Sequence, residues 1–425
     1  MAKPKRNVQW VRLDNAAKIF PPTSDKNDPK VFRYVCELYE NIDAGTLQKA
    51  LDKTLESFTG YLSVLKHGFF WYYLEATEKR PQVHEEDSEI CSPLYDQNEH
   101  TLLFDVSYYK KRINFEIYHV LADGTGALEF MRSLICTYLS IRHRDRLGDN
   151  PPSSGYDGSF TEQMADSFQK YYDPKKKKSE KLPWAYKLRG ARLSENRIKV
   201  IEGIMPVDRL LALARSCGTT ITVLLTAVLM CAIAQGMSVR DKKRPVTISV
   251  PVNLRNYFSS ESTRNFFSLI YVSYDFGREP EDIESVIKSV TEQFKIKLTR
   301  DRLLEEISAH VSMEHNAALR AVPLVIKDFF MRLGYDLNAL SVTAALSNVG
   351  KITMPQEYVP YIRHFDVMTS IKQLQICMCS FENNMVVSFT DSFVGADVQK
   401  SFFRYFTKNG VPVEIVTNPL DERRG

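Results

Sequence analysis

Tyr118-His119-Val120-Leu121-Ala122-Asp123-Gly124 is the stretch on which the reading of this chain turns. A β-rich run from Ile113 ends in His119. Asp123 and Gly124 follow four and five residues later, and a helical pattern then spans Gly126 to Arg142, with Leu128, Met131, Leu134, Ile135, Tyr138 and Leu139 on one face. A histidine at a strand end is held on a stiff element, and a short loop lets a carboxylate turn back beneath it. Histidine, with an ordinary pKa of roughly 6.5, is the side chain suited to take a proton near neutral pH. The bland alternative is a histidine packed at a strand end with no reaction to perform.

The chain has 425 residues, enough for two domain-sized cores. It is 44% hydrophobic and 25% charged, as expected of a globular protein, and its net charge of +4 is too small to imply nucleic acid. Seven scattered cysteines (Cys36, Cys91, Cys136, Cys217, Cys231, Cys377 and Cys379) read as reduced thiols of a cytoplasmic protein. Cys377 and Cys379 share a strand face, but they have no second pair or nearby histidine, so no metal is expected. The basic start, Met1 to Arg6, leads into no apolar signal core. The longest apolar run, Ile221 to Ala234, is too short for a membrane span and suits a buried helix.

Strands are expected at Val31–Leu38 and across the aromatic run 68–74. Leu102–Tyr109 and Ile113–His119 should pair as a hairpin. A helix over 46–58 is capped by Asp43. Residues 150–181 are rich in turn formers and include Lys175 to Lys178, which read as a solvated linker, with a phosphate-holding role the alternative. The second half carries helices at 207–216, 221–234, 282–313 and 396–407. Its strands fall at 198–205, 246–252, 268–275, 340–346, 363–370, 374–381 and 385–391. The two halves echo each other at an offset of 272 residues. Ile113 to His119 leads to Phe130 and Arg132, and Met385 to Asp391 leads to Phe402 and Arg404. Asp391 stands where His119 stands, so only the first half would hold a base.

The H-x-x-x-D-G pattern resembles that of the coenzyme A-dependent acyltransferase superfamily, which includes chloramphenicol acetyltransferase, condensation domains and alcohol acyltransferases. Leu346-Ser347-Asn348-Val349-Gly350 is similar to a strand-end signature of wax-ester and alcohol acyltransferases. Pro251-Val252-Asn253-Leu254-Arg255 resembles a Pro-Val-x-x-Arg segment of related enzymes. Arg12 to Pro21, with its Asp-Asn-Ala-Ala-Lys run, and Phe70 to Leu74 resemble bacterial alcohol acetyltransferase-like proteins. The resemblance covers the whole chain. Tyr118 stands where condensation domains carry a second histidine, which argues against peptide-bond formation. Asp275-Phe276-Gly277-Arg278 lacks the Trp and the late position of the plant-type motif.

The resemblance implies a mixed α/β (α+β) protein of two chloramphenicol acetyltransferase-like subdomains, 1–174 and 191–425, joined by a crossover at 175–190, with a tunnel between them. It implies His119 as general base. Asp123 would turn away from it into a structural ion pair with Arg255, whose alternatives are exposure or contact with a cofactor phosphate. Gly124 would permit a backbone angle or approach closed to other residues. Ser347 and Asn348 would stabilise an oxyanion or contact substrate, although the same residues suit a plain turn. Asn265 is a further polar candidate of that kind. The expected activity is acyl transfer from an acyl-coenzyme A to an alcohol or amine by a monomer that needs no metal. The alternatives are a non-catalytic thioester-binding or partner-recognition protein, and transfer from an acyl-carrier protein.

Overall fold

The computed structural model describes residues 10–96, 98–155, 160–176, 182–194, 197–370 and 372–418. Met1 to Arg6, Lys177 and Lys178, and part of the expected crossover lie outside them. Five strands form the first sheet, in the order Ile362–Thr369, Val31–Leu38, Arg112–Tyr118, Phe104–Tyr109, His84–Glu85, antiparallel except at the last pair. Val31–Leu38 is buried at every position, as a strand covered on both faces must be. Its alternation still shows. Phe32, Tyr34, Cys36 and Leu38 join the apolar core with helices Ala44–Ser57 and Gly124–Arg142. Arg33 and Glu37, on the opposite face, are tied to Glu116 and to Arg112 and Arg363. Asp43 caps the first of these helices by accepting from the Thr46 N–H at 2.7 Å.

Seven strands form the second sheet, in the order Phe267–Tyr274, Val246–Asn253, Ala344–Ile352, Leu374–Phe381, Asn384–Asp391, Lys199–Pro206, Glu414–Thr417, with Ala344–Ile352 parallel to both of its neighbours. Helices Val207–Ser216, Ile221–Ala234, Ile283–Lys297 and Asp397–Lys408 pack into its core. Ile221–Ala234 is buried along most of its length, and no single helix among the described residues is long and apolar enough to cross a membrane. A third, small sheet joins Trp10–Arg12, Tyr72–Ala76 and Ser63–His67.

The 272-residue echo is a structural repeat. Arg112–Tyr118 and Asn384–Asp391 are each the second strand of a hairpin, and each leads through a short loop to a helix. Phe130 and Phe402 are both fully buried. Phe130 stacks on Phe115 at 4.6 Å, and Phe402 meets Phe389 edge-on at 5.0 Å. The repeats are not closed units, because Ile362–Thr369 from the later part of the chain forms an edge of the first sheet.

Several elements differ from the sequence reading. Of the aromatic run 68–74 only Tyr72 onward is strand, paired with Ser63–His67; residues 68–71 are the turn between them, where the Gly68 N–H donates to the Trp71 carbonyl at 2.8 Å and Phe69 and Trp71 are exposed. The strand expected at 340–346 starts at Ala344 and runs on to Ile352. The helical region 282–313 is two helices, with Thr299 starting the second. Helix Leu324–Ala339 was not anticipated.

Candidate active site

His119 leaves the end of strand Arg112–Tyr118, and its N–H donates to the Lys30 carbonyl at 2.9 Å. The chain turns through Leu121, whose N–H donates to the Tyr118 carbonyl, and enters helix Gly124–Arg142 at Asp123. Asp123 has extended backbone angles, and its Oδ1 accepts from the Gly126 N–H at 2.9 Å. Its Oδ2 accepts from Arg255 Nη1 at 2.7 Å and from the Phe266 N–H at 2.8 Å. Arg255 in turn donates to the carbonyls of Ser262 and Arg264, at 2.8 and 2.6 Å. All of Asp123's hydrogen bonds run away from the imidazole. The carboxylate fastens the start of the helix to the loop 255–266 of the other half, and Arg255 is neither free in solvent nor turned toward a phosphate.

The partner of His119 is Asn265, whose Oδ1 lies 3.1 Å from Nδ1. The direction of that hydrogen bond follows from what surrounds the amide. Asn265 Nδ2 is 3.0 Å from the His119 carbonyl and 3.2 Å from Asp14 Oδ2, both acceptors only. The NH2 group must therefore point at them, which leaves Oδ1 to accept from imidazole Nδ1–H. Asp14 is fully buried and held in place by the Ala17 N–H at 2.7 Å and by Arg264 Nε at 3.3 Å. In the neutral ring this arrangement puts the proton on Nδ1 and leaves Nε2 without a hydrogen-bond partner among the described residues. Both amide protons of Asn265 are committed, so it has no donor to offer an oxyanion.

Aromatic rings complete the surroundings of His119. Phe20 stacks on the imidazole at 4.6 Å, with Phe32 at 4.8 Å and Phe267 at 5.6 Å. Loss of solvation there lowers the imidazole pKa below its ordinary value, against the pull of the nearby Asp123 and Asp14 charges and the Asn265 hydrogen bond. Burial thus favours the neutral imidazole, one face of which Phe20 covers. Two cavities, of about 200 and 260 Å³, lie elsewhere, and neither is lined by His119.

The other expected residues fall differently. Gly124 does not have a left-handed φ, and a Cβ there would meet only the Tyr34 hydroxyl, at 3.4 Å. The close approach belongs to Gly126, where a Cβ would stand 1.8 Å from the Thr263 carbonyl oxygen. Ser347 and Asn348 lie on strand Ala344–Ile352 at a bulge. Asn348 is exposed, donates to Thr222 Oγ1 at 2.8 Å and accepts from the Gly350 N–H at 2.8 Å. Neither residue hydrogen-bonds to His119. At the repeat position, Asp391 is enclosed by Lys199, Gln399 and the Phe393 N–H, so it does not present a free carboxylate there. Among the described residues, no cluster of His, Cys, Asp and Glu could hold a metal ion. Asp14, Phe20, Phe32 and Phe267 were not assigned to the site from sequence. Asp14 gave the one signal available, as a carboxylate inside a segment that had already been singled out.

No family model and no curated protein matches the chain. Solved structures do. The trichothecene 15-O-acetyltransferase TRI3 of Fusarium sporotrichioides superposes with a TM-score of 0.61 at 10% identity, covering 96% of both chains. TRI101 of the same organism, complexed with coenzyme A and T-2, gives 0.63 at 12% identity over 96% of this chain and 99% of the other. A starter condensation domain of rhizomide synthetase, in complex with C8-CoA and Leu-SNAC, gives 0.63 at 9% identity over 94% and 93%.

Proposed function

From the two-subdomain fold of the coenzyme A-dependent acyltransferases, which this chain has, we propose that it transfers an acyl group from an acyl-coenzyme A to an alcohol, or less readily an amine, with His119 as the general base. The observation that carries this reading is the setting of the imidazole: its Nδ1 lies 3.1 Å from Asn265 Oδ1, which leaves Nε2 for the acceptor, and burial favours the neutral ring. Nε2 takes the proton of the acceptor hydroxyl as its oxygen attacks the thioester carbonyl. The tetrahedral adduct then collapses, the carbon–sulfur bond breaks, and imidazolium returns the proton to the thiolate, giving ester and free coenzyme A. Packing around the ring limits water and with it thioester hydrolysis. The half-buried Ser347 is the candidate donor to the oxyanion. The donor thioester and a small acceptor are the partners this reading requires.

A second reading, a protein that binds acyl thioesters without turnover, draws on one observation, the Phe20 ring lying on the imidazole face. One experiment separates the two. Purified protein and its His119→Ala variant are incubated with acyl-coenzyme A donors of graded length and a panel of alcohols and amines, and products are read by mass spectrometry. Product from the wild type falling by about 10²–10⁴-fold in the variant supports the base, with an acid limb of kcat/KM below the ordinary histidine pKa. Thioester binding that survives in both proteins, with no product in either, supports the second reading.

A further inference from the structure

One short segment, residues 14–24, meets the surroundings of His119 at three points. Asp14 Oδ2 lies 3.2 Å from Asn265 Nδ2. The Phe20 ring stacks on the imidazole at 4.6 Å, with 23° between the planes. Ser24 Oγ hydrogen-bonds at 2.9 Å to the hydroxyl of Tyr118, the residue before His119.

The segment is stiffened by its own sequence and clamped from outside. Asp14 accepts from the Ala17 N–H at 2.7 Å and so starts the turn Ala16–Ile19. Pro21 and Pro22 stand in the first turn of helix Phe20–Thr23, where their missing N–H groups cost nothing. Leu13, Asp14, Ala17 and Phe20 are all buried. Glu314, near the end of helix Arg300–His315, accepts from Asn15 Nδ2 and, at 2.5 Å, from Lys18 Nζ. Arg332 Nε of helix Leu324–Ala339 donates to the Pro22 carbonyl at 2.9 Å. A side chain fixes the orientation of another only when its own backbone is held in this way.

The contacts constrain different properties of the base. An amide donates and accepts equally well, so groups that only accept decide which end of Asn265 turns to the ring. Asp14 and the His119 carbonyl share its NH2, and Asp14 is the charged acceptor of the two. The same charge favours imidazolium, as does that of Asp123. Asp14 is paired with Arg264 and Asp123 with Arg255. Asp166 interacts with Asp14, Arg264, Glu314 and Lys18, and burial together with Asp14 pushes its carboxyl up to about 6.

We propose that residues 14–24 are a positioning strap for the base, in which Asp14 selects the His119 tautomer through Asn265 and Phe20 holds the plane of the ring. Both act on the reaction only through His119. Their effect on turnover rests on His119 being the general base, whereas the tautomer is read without turnover.

The test compares wild type, Asp14→Asn and Phe20→Leu by ¹⁵N NMR of His119 across pH and by the kcat and KM of acyl transfer. Asn at position 14 can turn either end of its amide to Asn265. The expected result for Asp14→Asn is therefore a mixture of tautomers, with kcat about tenfold lower and KM changed by less than about twofold. The His119 titration should also move to lower pH, because a charge that favoured imidazolium is gone. Phe20→Leu should lower kcat about threefold with the tautomer unchanged. Asp166 titrates in the same window, so Asp166→Asn is measured too and should move the His119 titration less than Asp14→Asn does. Thermal melting shows whether each variant folds. If Asp14→Asn strands Arg264 and does not fold, Asp14→Asn/Arg264→Met removes the stranded charge and is judged by the tautomer. A folded variant at Asp14 that keeps the wild-type tautomer, or Asp14→Asn that keeps the wild-type titration midpoint, overturns the proposal. Wild-type kcat in Phe20→Leu removes Phe20 from it. Mixed tautomers in Asp14→Asn, with no turnover even in the wild type, support the strap and overturn the acyl-transfer reading instead.

Discussion

Replacing Asp123 with Ala separates a structural carboxylate from a catalytic one. The side chain accepts three hydrogen bonds, from Gly126 N–H, Phe266 N–H and Arg255, and none from His119. Removing it deletes a helix cap worth about 1 kcal/mol. It also strands one partner of a nearly buried ion pair, a loss that typically costs about 3–5 kcal/mol. Arg255 keeps the carbonyls of Ser262 and Arg264 as acceptors, so the lower part of that range applies. The expected destabilisation is about 4 kcal/mol, read as a lowered urea midpoint and a melting temperature reduced by roughly 5 °C. Arg255→Met alone should cost about 3 kcal/mol. The double variant should fall short of the sum by about 2 kcal/mol, because the second change removes a group that the first had already stranded. Turnover per folded molecule should fall far less in Asp123→Ala than in His119→Ala. An Asp123→Ala variant within about 1 kcal/mol of wild type that loses turnover as His119→Ala does would refute this reasoning and restore Asp123 as an orienting acid.

Asn265→Ala should release Nδ1–H and lower kcat/KM by about tenfold to a hundredfold with little change in KM, since one hydrogen bond selects the reactive tautomer. ¹⁵N NMR of His119 should show Nε2 unprotonated in the wild type and a mixture in the variant, and an unchanged tautomer would remove Asn265 from the mechanism. Gly126→Ala should destabilise by about 1–3 kcal/mol or more, because its Cβ would overlap the Thr263 carbonyl, whereas Gly124→Ala should melt close to wild type. Glu202 lies on the face where the two large sheets meet, and burial, with Asp366 and Glu37 nearby, pushes its carboxyl up to about 8 despite Arg112. A raised carboxyl favours folding while it is protonated. Stability should therefore fall as pH rises from the ordinary value of 4.5 toward about 8, and Glu202→Gln should flatten that slope in melts taken across the window.

What could be read in advance was local. The strand, loop and helix around His119 followed from a β-rich run, a short loop and a helical stripe, all within thirty residues, and the 272-residue echo followed from comparing two such segments. The pairing of Asp123 with Arg255 came from resemblance, because no periodicity relates positions 132 residues apart. The partner of His119 lay further out of reach. Asn265 was visible as a polar residue beside aromatics, but its role depends on Asp14, 251 residues away, which decides which end of the amide faces the imidazole. An amide donates and accepts equally well, so its identity alone leaves open whether it supports an oxyanion or a base. Helix Leu324–Ala339 shows the same gap at larger scale. A repeat of three and four residues defines an apolar face but not the side on which the protein lies, and here the polar face is the one fastened down, through Tyr72, Phe70, Pro22 and Asp28. In both cases the side chains set what contacts are available, and the direction of the contact comes from partners that only the folded chain brings near. A search for function in this protein is therefore best aimed where distant partners impose a direction, at the imidazole of His119.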